Sequence, residues 1–153
     1  MFYVLFAVSA VIVALGFYKF VYFLSTGYAF AIVGLAVAML IGYGASLTVP
    51  VAFLLVCLAV YAARLGMFIV IREFKSGAYR KVLDEASTGY DKIPMFVKIF
   101  IWIFCSILYV MQVSPIFFRL RNVMQEAYAG WLYAGIILLV VGFLMQTVAD
   151  AQK

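Results

Sequence analysis

The stretch PVAFLLVCLAVYAARLGMFIVI, residues 50–71, decides the fold, because it runs for 22 residues with a single charge, Arg64. A helix rising about 1.5 Å per residue needs about 20 apolar residues to cross a hydrocarbon core, and this run supplies them. Pro50 suits the first turn of such a helix, where a missing N–H has no partner to lose. Segments 1–23, 28–46, 94–117 and 127–149 repeat the pattern on either side. The whole chain of 153 residues is 69% hydrophobic and 11% charged, with a mean hydropathy of +1.20. Globular chains run at about 45–50% apolar and about 25% charged. These features predict an all-α polytopic transmembrane helical bundle of about five spans, forming one domain over 1–153. The first stretch lacks a basic region before its apolar part and is read as a retained span, not a cleaved signal.

The polar residues fall in a few islands. Ser25, Thr26 and Gly27 give a short turn signal after the first span, with Lys19 near enough to the end to reach the interface. GYGASLTVP (42–50) supplies a second tight turn, while 72–94 is the one substantial polar segment. Lys19, Arg72, Lys75, Arg80, Lys81, Lys92, Lys98 and Lys153 fall on one side of the predicted membrane, and Arg119 and Arg121 on the other. This imbalance of eight to two predicts an outside N-terminus and a cytoplasmic C-terminus, as for a protein of a bacterial inner membrane. The net charge of +5 is accounted for by this loop chemistry, and no nucleic-acid partner is expected. With no histidine in the chain, histidine ligation of a metal is excluded, and no metal is expected. Cys57 and Cys105 lie inside apolar runs and read as small buried hydrophobes.

Within the spans, Gly34, Ala38 and Gly42 recur every fourth residue, and Gly130 and Ala134 repeat that spacing, a pattern that lets helix backbones approach closely. Arg64 sits about 12 Å of helix before Arg72. A guanidinium at that depth must face the bundle, a wet cavity or an anion, so it reads either as a ligand contact or as half of a structural pair. The charges of 72–92 suit a solvated face with local ion pairs, or a contact with anionic lipid or a cofactor phosphate. Tyr109 is a candidate proton donor or a buried hydroxyl bonded to a carbonyl. Tyr128 and Trp131 fit an interfacial belt.

The chain closes on LMQTVADAQK (144–153). Gln146 and Asp150 are four apart and share a helix face, and an acid at a helix C-terminus opposes the macrodipole and asks for a partner. This end is either a frayed, solvated tail or the start of a polar site completed from elsewhere.

AARLGMFIVIRE (62–73), AYRK (78–81) and GFLMQTVADAQK (142–153) together resemble the bacterial membrane proteins related to steroid 5-alpha-reductases, with isoprenylcysteine methyltransferases as more distant relatives. The resemblance implies a bundle of about seven spans whose cytoplasmic half binds NADPH, or in the methyltransferases a methyl donor. It implies reduction of a carbon–carbon double bond in a lipophilic, steroid- or isoprenoid-like substrate. By the same resemblance Gln146, Asp150 and Gln152 would bind the cofactor, with Lys153 aligned beside them, and Arg64 and Arg72 would line the substrate cavity. The chain departs from that pattern in having Gln146 where an acid or Asn is usual, and Ala78 where an acid commonly precedes the loop arginine. The family also continues beyond this point with further spans and site residues. The chain is therefore expected to be the N-terminal part of such an enzyme, inactive alone, with a partner chain as another way to complete the site. A membrane scaffold or assembly subunit and a methyltransferase relative are the alternatives.

Overall fold

The structure, a computed structural model, describes residues 1–86, 88–89, 92–121 and 129–152, with the backbone alone for Ser46, Ala86, Ala129, Asp150 and Ala151. Tyr128 and Lys153 lie outside the described residues. The described chain is helical throughout, without a strand: α1 (Phe2–Val13), α2 (Thr26–Gly42), α3 (Val49–Lys75), α4 (Gly77–Ala86), α5 (Met95–Arg121) and α6 (Ala129–Ala151), with tight 3₁₀ turns at Ala14–Phe17, Phe20–Phe23 and Gly44–Ser46. Four helical segments are long and apolar enough to cross a membrane: Phe20–Gly42, Val49–Lys75, Met95–Arg121 and Gly130–Ala149. Phe2–Phe17 is a shorter apolar helix beside them. The protein is an integral membrane protein with an all-α, polytopic fold.

The first boundary differs from expectation. The apolar run 1–23 is broken at Lys19, whose backbone is extended (φ −137°, ψ 132°), and the next span begins at Phe20, before the Ser25–Gly27 turn signal. Two contacts account for the break. A Cβ on Gly16 would lie 2.2 Å from the Phe23 ring, so only glycine lets the two 3₁₀ turns close on each other. The Lys19 ammonium then reaches Glu73 Oε1 at 3.3 Å on α3 and Asp84 Oδ1 at 3.2 Å on α4.

Helix α2 is the centre of the bundle and packs on α1, α3 and α5. Its small-residue spacing does what the sequence predicts at Gly34, where an added Cβ would meet Ile12 Cδ1 of α1 at 2.5 Å. Polar groups tie α1 to α5. Trp102 Nε1 donates to the Ala10 carbonyl (2.8 Å), Ser9 Oγ to the Ser106 carbonyl (3.1 Å), and Ser106 Oγ to the Trp102 carbonyl (2.7 Å). The buried Tyr109 hydroxyl donates to the Phe23 carbonyl, which gives it the structural one of its two expected roles. Pro115 lies inside the continuous α5, and because it has no N–H for the Met111 carbonyl, Ser114 Oγ donates to that oxygen instead (2.7 Å).

The polar segment after the third span is more ordered than its charge pattern suggests. Helix α3 runs on to Lys75, and Ser76 both ends it and caps α4, its Oγ accepting from the Tyr79 N–H at 3.3 Å. Helix α4 buries Leu83 and turns Asp84 to Lys19.

Helix α6 is the exception to this packing. It leans on α3, and no residue of its Gly130–Ala149 window is buried. Among the described residues nothing lies within 4 Å of a Cβ added at Gly130, and Ala134 is exposed, so the small-residue pair expected to pack there meets no described helix. The spacing identifies a face, but a partner for that face depends on tertiary register.

Candidate functional site

Tyr61 of α3 meets Phe143 of α6 edge to face at 6.4 Å, and one turn further Arg64 meets Thr147. The two helices therefore run parallel, and both end on the same side of the bundle. The Arg64 guanidinium donates from Nη1 to Thr147 Oγ1 (2.6 Å) and lies 5.6 Å from the centre of the Phe143 ring. Thr147 spends its one hydroxyl proton on the Phe143 carbonyl (2.7 Å), which leaves its oxygen as acceptor for the arginine. An arginine deep in an apolar helix is thus oriented by a hydroxyl and an aromatic face.

Arg64 and Thr147 are the polar end of a groove of about 690 Å³ whose other walls are Val60, Ala63, Met67, Phe68 and Ile71. A cavity of about 120 Å³ adjoins it at Val60 and runs between Val56 and Cys57 of α3 and Leu139, Val140 and Phe143 of α6. A third, of about 290 Å³, lies where α3 and α6 meet α5, between Val51 and Leu54 of α3, Pro115 and Arg119 of α5, and Leu132 and Gly135 of α6. The α3–α6 seam is open along its length, in contrast to the close contacts around α2.

The remaining expected site residues are dispersed. Arg72 is exposed, and its guanidinium lies 4.4 Å from the Tyr79 ring centre, where it pins α4 to the end of α3. Ile71, not Arg72, lines the groove. Gln146 is half-buried beside Thr147. Gln152 is exposed and borders a separate depression of about 380 Å³ with Leu144, Met145, Val148 and Ala149. Asp150 belongs to the last turn of α6, and its side chain lies outside the described part of the structure. Thr147 is the contact the sequence reading missed. A neutral hydroxyl inside an apolar run carries no signal of its own, although it sits in the quoted LMQTVADAQK.

A cofactor held at the end of α6 would meet the side-chain amides of Gln146 and Gln152. As a helix C-terminus it presents carbonyls, which repel phosphate. Phosphate charge would instead be met by Lys75, Arg80 and Lys81, exposed on the end of α3 and on α4. Among the described residues no group of three or more His, Cys, Asp or Glu could hold a metal ion.

A second polar cluster holds this end of the bundle together. Lys19 bridges Glu73 and Asp84, and Tyr22 donates its hydroxyl to Glu73 Oε1 at 2.6 Å. Burial disfavours the Lys19 charge, but the bonds to Asp84 and Glu73 outweigh it and hold its pKa above the ordinary 10.5.

No curated protein and no solved structure matches the chain. One family, described as "Protein of unknown function (DUF1295)", matches residues 2–153, nearly the full length, and the chain belongs to that family.

Proposed function

We propose that the protein is a membrane-embedded reductase-like protein that uses NADPH to reduce a carbon–carbon double bond in a lipophilic, steroid- or isoprenoid-like substrate. The observation that carries this reading is the groove between α3 and α6, apolar along its walls and ended by Arg64 and Thr147. An intramembrane ionisable residue beside an apolar cavity is a functional feature by default, because lipid gives it no reason to be there. The resemblance of 62–73, 78–81 and 142–153 to steroid 5-alpha-reductase-like proteins supplies the reaction class.

On this reading the C-terminal end of α6 faces the cytoplasm of a bacterial cell, as the distribution of basic residues implies. Gln146, Asp150 and Gln152 hold the cofactor, Arg64 orients the substrate, and Arg72 shapes the cavity's edge through α4. The bound nicotinamide would supply hydride; the chain's own part is to position the two molecules and exclude water. A partner chain covering α6 would close the site.

Equilibrium binding of NADPH to the protein purified from its own membrane tests the assignment. Asp150→Ala is expected to weaken binding at least tenfold. Equal affinity in the variant contradicts the cofactor role, and S-adenosylmethionine displacing NADPH would shift the reading to the methyltransferase relatives. The unburied face of α6 favours one further reading, a scaffold or assembly subunit that docks another membrane protein there.

A further inference from the structure

We infer that Tyr28 and Gln112 form a polar site at membrane depth that takes the carbonyl oxygen of an uncharged lipophilic ketone dissolved in the bilayer. This deepens the reading above and rests on it, since it places the polar group of the lipophilic substrate. Gln112 of α5 lies about 21 Å of helix beyond Lys98 and about 14 Å before Arg121, inside a hydrocarbon core about 30 Å thick. It is nevertheless exposed, and among the described residues its side-chain amide bonds only to Tyr28 of α2, Nε2 donating to the phenol oxygen at 3.4 Å. Tyr28 is half-buried, and its ring is held edge to face at 5.4 Å against Tyr109, whose own hydroxyl is given to the Phe23 carbonyl.

The Tyr28 proton, the second Nε2 proton of Gln112 and the Gln112 amide oxygen are thus without a partner among the described residues. Tyr61 of α3, half-buried and within electrostatic reach of Tyr28, adds a hydroxyl in the same condition. Its ring meets Phe143, which sets the cluster beside the α3–α6 seam. Hydrocarbon supplies no water to polar groups, so an amide and two phenols at this depth need a polar partner that reaches them there. They present no cation to a carboxylate or phosphate and no anion to an amine, so the fitting group is neutral. Their spare protons, one each from Tyr28, Tyr61 and Gln112, outnumber the amide oxygen, the strong acceptor among them. Such a donor excess suits an oxygen with two lone pairs and no proton, a carbonyl rather than an alcohol.

The test is equilibrium binding of cholestenone, labelled with heavy carbon at its carbonyl, to the full chain in lipid nanodiscs without nicotinamide. The infrared carbonyl band of the bound ketone should move to lower frequency than in empty nanodiscs. The matched alcohol, cholestenol, should compete at least fivefold less well than unlabelled cholestenone. Tyr28→Phe keeps the ring against Tyr109 but removes the donor, and should abolish most of the band shift and weaken binding about tenfold. Gln112→Leu places an apolar side chain at an exposed position, so it should weaken binding about fivefold without lowering the midpoint of thermal unfolding, and it stands in if the tyrosine variant fails to fold. An unshifted carbonyl band, equal competition by the alcohol, or a lower midpoint with full affinity in Gln112→Leu would overturn the inference. The measurement contains no nicotinamide, so NADPH binding can fail while the ketone is held, and the ketone can fail to bind while NADPH is held.

Discussion

The contact between α1, α2 and α5 and the contact between α3 and α6 are built on opposite principles. In the first, hydrogen bonds from Trp102 to the Ala10 carbonyl and from Ser9 to the Ser106 carbonyl cross between α1 and α5, a glycine admits Ile12, and Leu5, Leu35 and Met39 are fully buried. In the second, one arginine and one threonine meet across a chain of cavities, and α6 buries nothing in its central window. Lipid tails are as apolar as leucine, so membrane helices associate through close packing and hydrogen bonds. The first region has both. The second, among the described residues, has the Arg64–Thr147 hydrogen bond, the Tyr61–Phe143 ring contact and a chain of cavities.

Substitutions that treat the two regions alike should separate them, and the largest effect is expected at Gly16. The added methyl of Gly16→Ala runs into the fully buried Phe23 ring, and overpacking of this kind destabilises by about 1–3 kcal/mol. The fall would be read as a lower midpoint of thermal unfolding in detergent. Tyr109→Phe should follow at about 1–2 kcal/mol, because it strips the Phe23 carbonyl of its donor inside the bundle.

Lys19→Met should have a smaller effect, about 1 kcal/mol, because the Asp84 end of the cluster is exposed. The pH dependence of this difference has a definite sign. The folded-state pKa of Lys19 lies above 10.5, so its contribution is fully present below pH 10.5 and fades as pH rises through the raised value. The gap between wild type and Lys19→Met should thus be flat from neutral pH to pH 9 and narrow in stronger alkali. A gap that opens with rising pH would mean that Lys19 is not stabilised by its carboxylates. Least affected should be Gly142→Ala on α6, where a Cβ meets nothing within 4 Å. A loss there of more than about 1 kcal/mol, beyond ordinary surface substitutions, would show that α6 is already packed against a partner.

Hydropathy alone reveals the spans, because about 20 consecutive apolar residues have few other uses. It hides the break at Lys19, since one lysine in a run this apolar looks like a snorkelling side chain until Glu73 and Asp84, more than fifty residues away, are folded against it. Helix α4 was hidden for a related reason. Ten charge-rich residues read as a solvated segment, and only the burial of Leu83 and the stacking of Arg72 on Tyr79 make them a docked helix. Arg64 was legible as a candidate from its depth, whereas its contact with Thr147 was not, because that contact comes from the register of α6 on α3. The spacing of small residues was informative in α2, whereas in α6 the Gly130–Ala134 face meets no neighbouring helix among the described residues.

The chain's two cysteines sit one in each region: Cys105 buried in the packed bundle, and Cys57, half-buried, lining the open seam. The most direct measurement is the rate at which a membrane-permeant maleimide alkylates each of them in nanodiscs. Cys57 should react at least tenfold faster than Cys105. Equal rates at the two thiols would contradict the division of the molecule into a packed frame and an open seam.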